Sequence, residues 1–486
     1  MTGPARLLWA IGVVLAASDA CDSAAAEAPT RLFVRGDQRC LVDQSGAPFF
    51  WLADTAWELL HRADRDEADR YLRDRAAKGF TVIQTVGLAE LDGLRTPNAY
   101  GHTPLAGLDP ARPLVRPGAD NDYWDHADWV VRRANALGMV VAFLPTWGDK
   151  FNLQWGVGPV VFTPENARAY GEFLGRRYAD ASVVWVLGGD RNPIDAEDEA
   201  IVDAMAAGVS AGDGGRVLRT YHPRGGLHNA TTLLDDREWL DLRVFQSGHG
   251  EPFAPNHAVL RELMAGGPTR PALDAEPCYE DHPINWDPQR GWYDAWHCRV
   301  MAYWAVFSGA AGHSYGNHNV WQLWQPGRDA VSNARTPWWV ALDHPGARQM
   351  GHLRALATAR PFDATAPDPS LLDGDVEDQP IIDRGDGAPP AALHRAACRD
   401  RRGRFALAYL PTGGAVRVRL DGELAEGVTA RWFDPRQGSV EAASPTNAAE
   451  AGFAAFRSPS EGWGRDWVLV LDATPRDLPP LRPWGW

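Results

Sequence analysis

From residue 49 to about residue 359, short apolar runs alternate with amphipathic stretches. This rhythm is the signature of βα units feeding a parallel sheet. Residues 49–53 read as the first strand. Residues 64–78 follow as a helix, with Ala68, Leu72 and Ala76 spaced by four and therefore on one face. The second strand is expected at 80–86, its helix at 123–137 and the third strand at 139–144. A helix at 163–178 opens with Thr163, Pro164 and Glu165, which suit the cap, the first turn and the positive end of the helix dipole. The fourth strand is expected at 182–187.

The second half repeats this pattern, with strands at 216–221, 242–246, 270–275 and 310–315. Helices at 194–210, 256–264, 289–307 and 346–358 follow strands four, six, seven and eight. Eight such units in one stretch predict an α/β fold, a (β/α)8 TIM barrel over residues 31–360. The alternative is a doubly wound open sheet, which would want Gly-x-Gly-x-x-Gly at the first βα turn. Ala53-Asp54-Thr55-Ala56-Trp57 stands there instead. Beyond Pro361 the texture changes: residues 361–390 are rich in Pro and Asp and read as a linker or long loop. Residues 391–486 carry short β-rich runs broken by turn residues, which predict a small C-terminal antiparallel β-sandwich.

The amino terminus stands apart from this pattern. Arg6 precedes an apolar stretch too short to span a bilayer, and small residues around Ala24-Ala25-Ala26 offer a cleavage site. Residues 1–26 therefore read as a signal peptide, and the mature protein as secreted or periplasmic, with no transmembrane segment. Cys21 raises lipidation as an alternative, although Asp19-Ala20 before it matches such a site poorly. Export permits disulfides among Cys40, Cys278, Cys298 and Cys398; buried free thiols are the alternative.

Composition narrows the function. The 486 residues exceed one ordinary core, and the net charge of −15 with no basic run excludes sequence-independent nucleic-acid binding. The 22 Trp outnumber the 16 Phe and the 11 Tyr, which points to an aromatic-lined site.

A barrel builds its active site at the C-terminal ends of its strands. The residues there are Asp54 and Trp57; Gln84; Trp147 and Asp149; Asp190 and Asn192; Tyr221 and His222; Gln246 and His249; Asp274 and Glu276; Tyr315, His318 and Trp321. Asp190 ends a fully apolar fourth strand and Glu276 follows the seventh, so their tips can face each other across the mouth. Such a pair, roughly 5–5.5 Å apart with pKa values pushed apart, is what retaining glycoside hydrolysis requires. Asp274 reads as support on the same face, deeper in the barrel. The histidines His222, His249, His313 and His318 allow a metal reading, but the first strand lacks clustered His ligands. They read better as partners of sugar hydroxyls or as satisfied core groups, so no metal and no cofactor is expected. No Gly-x-Ser-x-Gly elbow supports serine chemistry.

Phe50-Trp51-Leu52-Ala53-Asp54-Thr55-Ala56-Trp57, Lys78-Gly79-Phe80-Thr81-Val82-Ile83-Gln84, Trp185-Val186-Leu187-Gly188-Gly189-Asp190-Arg191-Asn192-Pro193 and His313-Ser314-Tyr315-Gly316-Asn317-His318-Asn319-Val320-Trp321-Gln322 resemble the apiosidase-like proteins, glycoside hydrolase family 140 and its relatives. Trp432-Phe433-Asp434-Pro435-Arg436-Gln437-Gly438 and Asp466-Trp467-Val468-Leu469-Val470-Leu471 resemble that family's C-terminal β-domain, sometimes labelled collagen-binding. The resemblance implies a secreted bacterial retaining glycosidase acting on an oligo- or polysaccharide, with Asp190 as acid/base and Glu276 as nucleophile. It further implies apiose-containing pectic side chains as one substrate. The wider clan carries Asn-Glu on strand four where Gly189-Asp190 stands here, a departure shared with the apiosidase-like group. For a polyanionic substrate, Arg95, His102, Arg112 and Arg116 could form a cationic lip. Trp57, Trp147, Trp155 and Trp321 could stack on sugar rings. The rival readings are a non-catalytic glycan-binding or surface-attachment protein on a barrel scaffold, and a metal-dependent hydrolase.

Overall fold

The computed structural model describes residues 1, 30–226, 231–265, 270–373, 393–446, 452–474 and 478–485. The expected signal peptide, Cys21 and most of the expected linker lie outside the described residues.

Eight strands run in the predicted order: β1 (Trp51–Thr55), β2 (Val82–Leu88), β3 (Val140–Thr146), β4 (Val183–Gly188), β5 (Arg219–His222), β6 (Arg243–Phe245), β7 (Ala272–Asp274) and β8 (Gly312–Tyr315). A continuous parallel ladder links β8 to β1 and then β2 through β5, while β6 and β7 form a separate parallel pair. Backbone bonds close the two seams, from Asp241 N–H to the Arg219 carbonyl (2.9 Å) and from Ala311 N–H to the Ala272 carbonyl (3.0 Å). The sheet is a barrel.

Strand alternation explains the two layers of its core. Ala53, Val82, Val140, Val184, Val244 and Leu273 fill the interior. Leu52, Ile83, Val141 and Trp185 face outward against the helices. Leu32 and Leu41 join the interior cluster from a small antiparallel sheet (Leu32–Val34, Leu41–Asp43, Pro48–Phe49) ahead of β1.

Local sequence sets the helix ends. Asp64 and Glu67 form a capping box on Arg65–Ala77, and Thr163 caps Pro164–Arg177. The helix expected from residue 289 starts later, as Ala295–Phe307, because Gly291 takes φ +93° and Asp294 is the residue that caps it.

The C-terminal unit is a sandwich. A six-stranded antiparallel sheet (Thr365–Pro367, Ala396–Asp400, Phe405–Leu410, Trp467–Ala473, Val428–Phe433, Val440–Ala442, in spatial order) faces the pair Gly413–Arg419 and Phe453–Glu461 across an apolar core. Thr365–Pro367 pairs with Ala396–Asp400, so the sandwich begins inside the stretch expected as linker. The sandwich packs on helix Ala295–Phe307. Tyr303 stacks on Tyr409 at 4.7 Å, Trp296 Nε1 donates to the Pro411 carbonyl at 2.9 Å, and Arg299 forks onto buried Asp466. All four described cysteines are free, buried thiols, which settles the disulfide alternatives in favour of none. Among the described residues, no helix is long and apolar enough to cross a membrane.

Candidate active site

The cavity at the C-terminal end of the barrel holds about 750 Å³. Its wall includes Asp190, Glu276, Trp57, Trp147, Trp155, Gln246, His249, His318 and Trp321, all marked by the sequence.

Asp190 reaches this wall through an unusual backbone. Gly188, Gly189 and Asp190 take successive φ values of +91°, +101° and +59°. A Cβ on Gly188 would sit 2.6 Å from the His222 carbonyl oxygen, and one on Gly189 would sit 2.8 Å from Gly148 N. Only glycine fits at either place, which explains why the apolar strand ends in Gly-Gly before the acid. Asp190 Oδ2 then accepts from Arg191 Nη1 at 2.9 Å and from the Trp155 indole N–H at 3.1 Å. Burial, and next the charge of Glu276, raise its carboxyl to about 6 despite the opposing pull of Arg191, His222 and Trp155.

Glu276 lies between two imidazoles. His249 Nε2 is 3.1 Å from its Oε1, and His222 Nε2 makes a close charge contact at 3.0 Å with Oε2. Burial alone would raise this carboxyl, but the two imidazoles outweigh it and hold it down at about 2. The cavity thus carries one acid poised near protonation and one held ionised. That division of labour is what general acid catalysis beside a nucleophile needs.

The remaining wall is aromatic. Trp57 and Trp147 pack at 5.2 Å, with His222 edge-on to Trp57. Trp147 Nε1 and Gln246 Oε1 are buried without a protein partner, and both residues line the cavity. Trp155 and Trp286 stand exposed on the rim.

Several sequence-marked residues do not form the wall. Asp54 shares the outer face of β1 with Leu52, where its Oδ2 accepts from Tyr71 Oη (2.6 Å) and Arg75 Nε (2.8 Å) of helix Arg65–Ala77. Tyr315 likewise faces out, with its hydroxyl on Glu280. Gln84 lies inside the barrel beneath the site and donates to Thr55 Oγ1 and to the Ala275 carbonyl, one residue before Glu276. Asp149 accepts from Lys150 Nζ and the N–H groups of Val157 and Gly158, shaping the loop that carries Trp155. Asn192 accepts the Arg224 N–H. Asp274 accepts from Ser247 and from Asn256 on helix Asn256–Ala265, so it braces the segment after β6 and turns away from Glu276's face. Arg95, His102, Arg112 and Arg116 lie outside the cavity wall; among the described residues the arginine that lines it is Arg224.

The sequence reading missed Glu90, Arg224, Tyr279, His282 and Trp286, all in the wall. Glu90 and Arg224 each fall two residues past a strand end, so a slightly longer window at each tip would have found them. The other three ride the long segment after β7, where no periodic signal exists. Among the described residues, no group of three His, Cys, Asp or Glu side chains is arranged to hold a metal ion. The imidazoles turn elsewhere: His318 Nε2 meets the Val331 and Ser332 carbonyls, and His282 Nδ1 the Pro283 carbonyl.

A (β/α)8 barrel whose aromatic cavity is lined by two buried carboxyls is the form of a glycoside hydrolase, an enzyme acting on a carbohydrate substrate. Residues 35–364 match the family model described as "Apiosidase-like, catalytic domain", and the chain belongs to the apiosidase-like family. Residues 376–472 match a model named for a collagen-binding domain of a collagenase. Two solved structures are similar over nearly their whole lengths. One, titled "Glycoside hydrolase", shares 29% identity at TM-score 0.79, covering 92% of this chain and 98% of the other. The second, a glycoside hydrolase family 5 protein from Bacteroides vulgatus, shares 29% identity at TM-score 0.80, with 94% and 95% covered. A family 39 glycoside hydrolase from Bacteroides cellulosilyticus, at 12% identity and TM-score 0.52 over 90% and 84%, shares the fold. No curated protein matches the chain by sequence.

Proposed function

We propose that this protein is an exported retaining glycosidase acting on a plant or microbial glycan, with apiose-containing pectic side chains as one substrate. Asp190 gives its proton to the glycosidic oxygen as the C–O bond breaks, while a Glu276 oxygen attacks the anomeric carbon to form a glycosyl ester. The Asp190 carboxylate then takes a proton from water, whose oxygen attacks the same carbon and returns Glu276 as a carboxylate. The observation that carries this reading is that the two acids share one cavity, with Glu276 set between His222 at 3.0 Å and His249 at 3.1 Å, which favours its ionised form, while burial and that charge push the Asp190 carboxyl up. The export reading rests on the leader-like pattern of residues 1–26. The sandwich braces the barrel through the Arg299–Asp466 pair.

The test is incubation of the mature protein with a glycan panel that includes apiose-containing pectic oligosaccharides, beside the Glu276→Gln protein. Mass spectrometry identifies the released sugar, and proton NMR of the first product reads its anomeric configuration. Release by the wild type alone with retained configuration is expected. An active, well-folded Glu276→Gln protein overturns the assignment of the nucleophile, and inverted product overturns the covalent step.

A further inference from the structure

The cavity contains a third acid that the hydrolytic scheme does not use. Glu90 follows β2 by two residues, and its side chain lines the cavity. Its backbone is clamped on both sides. Lys150 Nζ donates to the Glu90 carbonyl at 3.4 Å, and the N–H of the next residue, Leu91, donates to Glu58 Oε1 at 3.1 Å. Its carboxyl, by contrast, makes no hydrogen bond or ion pair to any described residue, so the group is held in place yet left open toward the cavity.

The charges around it are mostly negative. Asp190 exerts the largest charge effect on it, followed by Glu58 and Asp149, and Arg191 is the opposing cation. Two of these acids already have cationic or imidazole partners: Glu58 holds His61 Nδ1 at 2.7 Å and Arg62 at 3.7 Å, and Asp149 holds Lys150 Nζ at 2.7 Å. Arg191 is committed to Asp190 and to the Trp155 carbonyl. Among the described residues no cation pairs with the Glu90 carboxyl; Arg224 of the same wall lies over the Trp155 ring at 5.9 Å, so ionising Glu90 would place a charge beside three other carboxyls without an ion-pair partner.

We propose that Glu90 works as an uncharged carboxylic acid that donates a hydrogen bond to the substrate beside Asp190. The proposal rests on the glycosidase reading and adds a substrate-binding group to it. A neutral carboxyl offers one O–H donor and one carbonyl acceptor, which matches a sugar hydroxyl; a carboxylate could only accept. Burial and then the charge of Asp190 place Glu90's own titration at about 8, so the donor is present at neutral pH and is lost above it.

Two measurements test this. The first is steady-state kinetics against pH on a glycan the wild type cleaves. Glu90→Ala should raise KM about tenfold, the worth of one good hydrogen bond, with kcat changing less. Glu90→Gln, which keeps a donor at every pH, should recover most of that loss and abolish the wild type's rise in KM above about pH 8. An unchanged KM in the alanine variant, or the same alkaline rise in the glutamine variant, overturns the proposal. The second needs no turnover: infrared difference spectra, wild type minus Glu90→Gln, should show a protonated-carboxyl C=O band at neutral pH that titrates away in mild alkali. A missing band in folded protein overturns the role of Glu90 whatever the substrate. Failure of the wild type to cleave any glycan, with the band present, counts against the glycosidase reading alone.

Discussion

The indole N–H of Trp155 donates to Asp190 Oδ2 at 3.1 Å, although Trp155 itself is exposed on the cavity rim. The loop carrying this ring is pinned by the Val157 and Gly158 N–H groups on Asp149, and the Arg191 guanidinium lies 3.7 Å from the ring centre. A rim residue that a sugar could stack on therefore also pulls the pKa of the proposed acid/base down, against the larger effects of burial and Glu276.

A hydrogen bond to the charged form of a carboxyl lowers its pKa, so removing it raises the pKa. Trp155→Phe should raise Asp190 above about 6 and move the alkaline limb of kcat/KM upward by roughly half a pH unit to one unit. A pH–rate profile checks this, and an unmoved limb would show that the contact does not govern the titration.

His249 acts on the other acid in the opposite sense. Glu276 is ionised above about 2 because His222 and His249 favour its charged form. In His249→Ala one of these partners is gone, the Glu276 pKa rises, and the ionised nucleophile is lost at a higher pH on acidification. The acid limb of kcat/KM should move up by about one unit, into a range where it can be measured. A profile identical to the wild type would refute the role given to His249.

Gly189 is tested by adding one methyl group. Its φ of +101° strains any L-residue, and the new Cβ would lie 2.8 Å from Gly148 N and 2.9 Å from the Thr146 carbonyl oxygen. Gly189→Ala should cost about 2 kcal/mol of stability. Because Asp190 is the next residue, turnover should drop by more than the folded fraction does. Equal activity per folded molecule, by circular dichroism and product assay together, would contradict this.

The barrel and the sandwich are joined by Arg299 and Asp466, at 2.6 and 2.9 Å in a buried fork. Asp466→Asn leaves a buried guanidinium without its counter-ion, facing only neutral acceptors, the new amide oxygen and Gln349 Oε1. The expected loss is about 3 kcal/mol in chemical denaturation, since a buried charge without its counter-ion is far more costly than the pair is stabilising. A loss below about 1 kcal/mol, as for exposed pairs, would mean that water reaches the fork.

Much of this molecule was legible along the chain. Strand and helix order, the start of Pro164–Arg177 at Thr163, and the position of Asp190 and Glu276 at strand tips all follow from periodicity and from rules acting over a few residues. Asp54 shows where that reasoning fails. A strand buried on both faces has no polar side to reveal its parity, so nothing in Phe50-Trp51-Leu52-Ala53-Asp54 tells which residues point inward. The structure puts Asp54 outward onto Tyr71 and Arg75. Glu90 and Arg224 went unseen because each lies just beyond the last residue read at its strand tip.

By itself, the sequence determined the class of fold and the family, and it put the two candidate acids at strand tips. Only the tertiary structure decided their protonation. Glu276 meets imidazoles that arrive from the ends of β5 and β6, and Asp190 meets an indole from the loop after β3. Electrostatic and hydrogen-bond energies depend on separation in space and on burial, and neither is a property of neighbours along the chain.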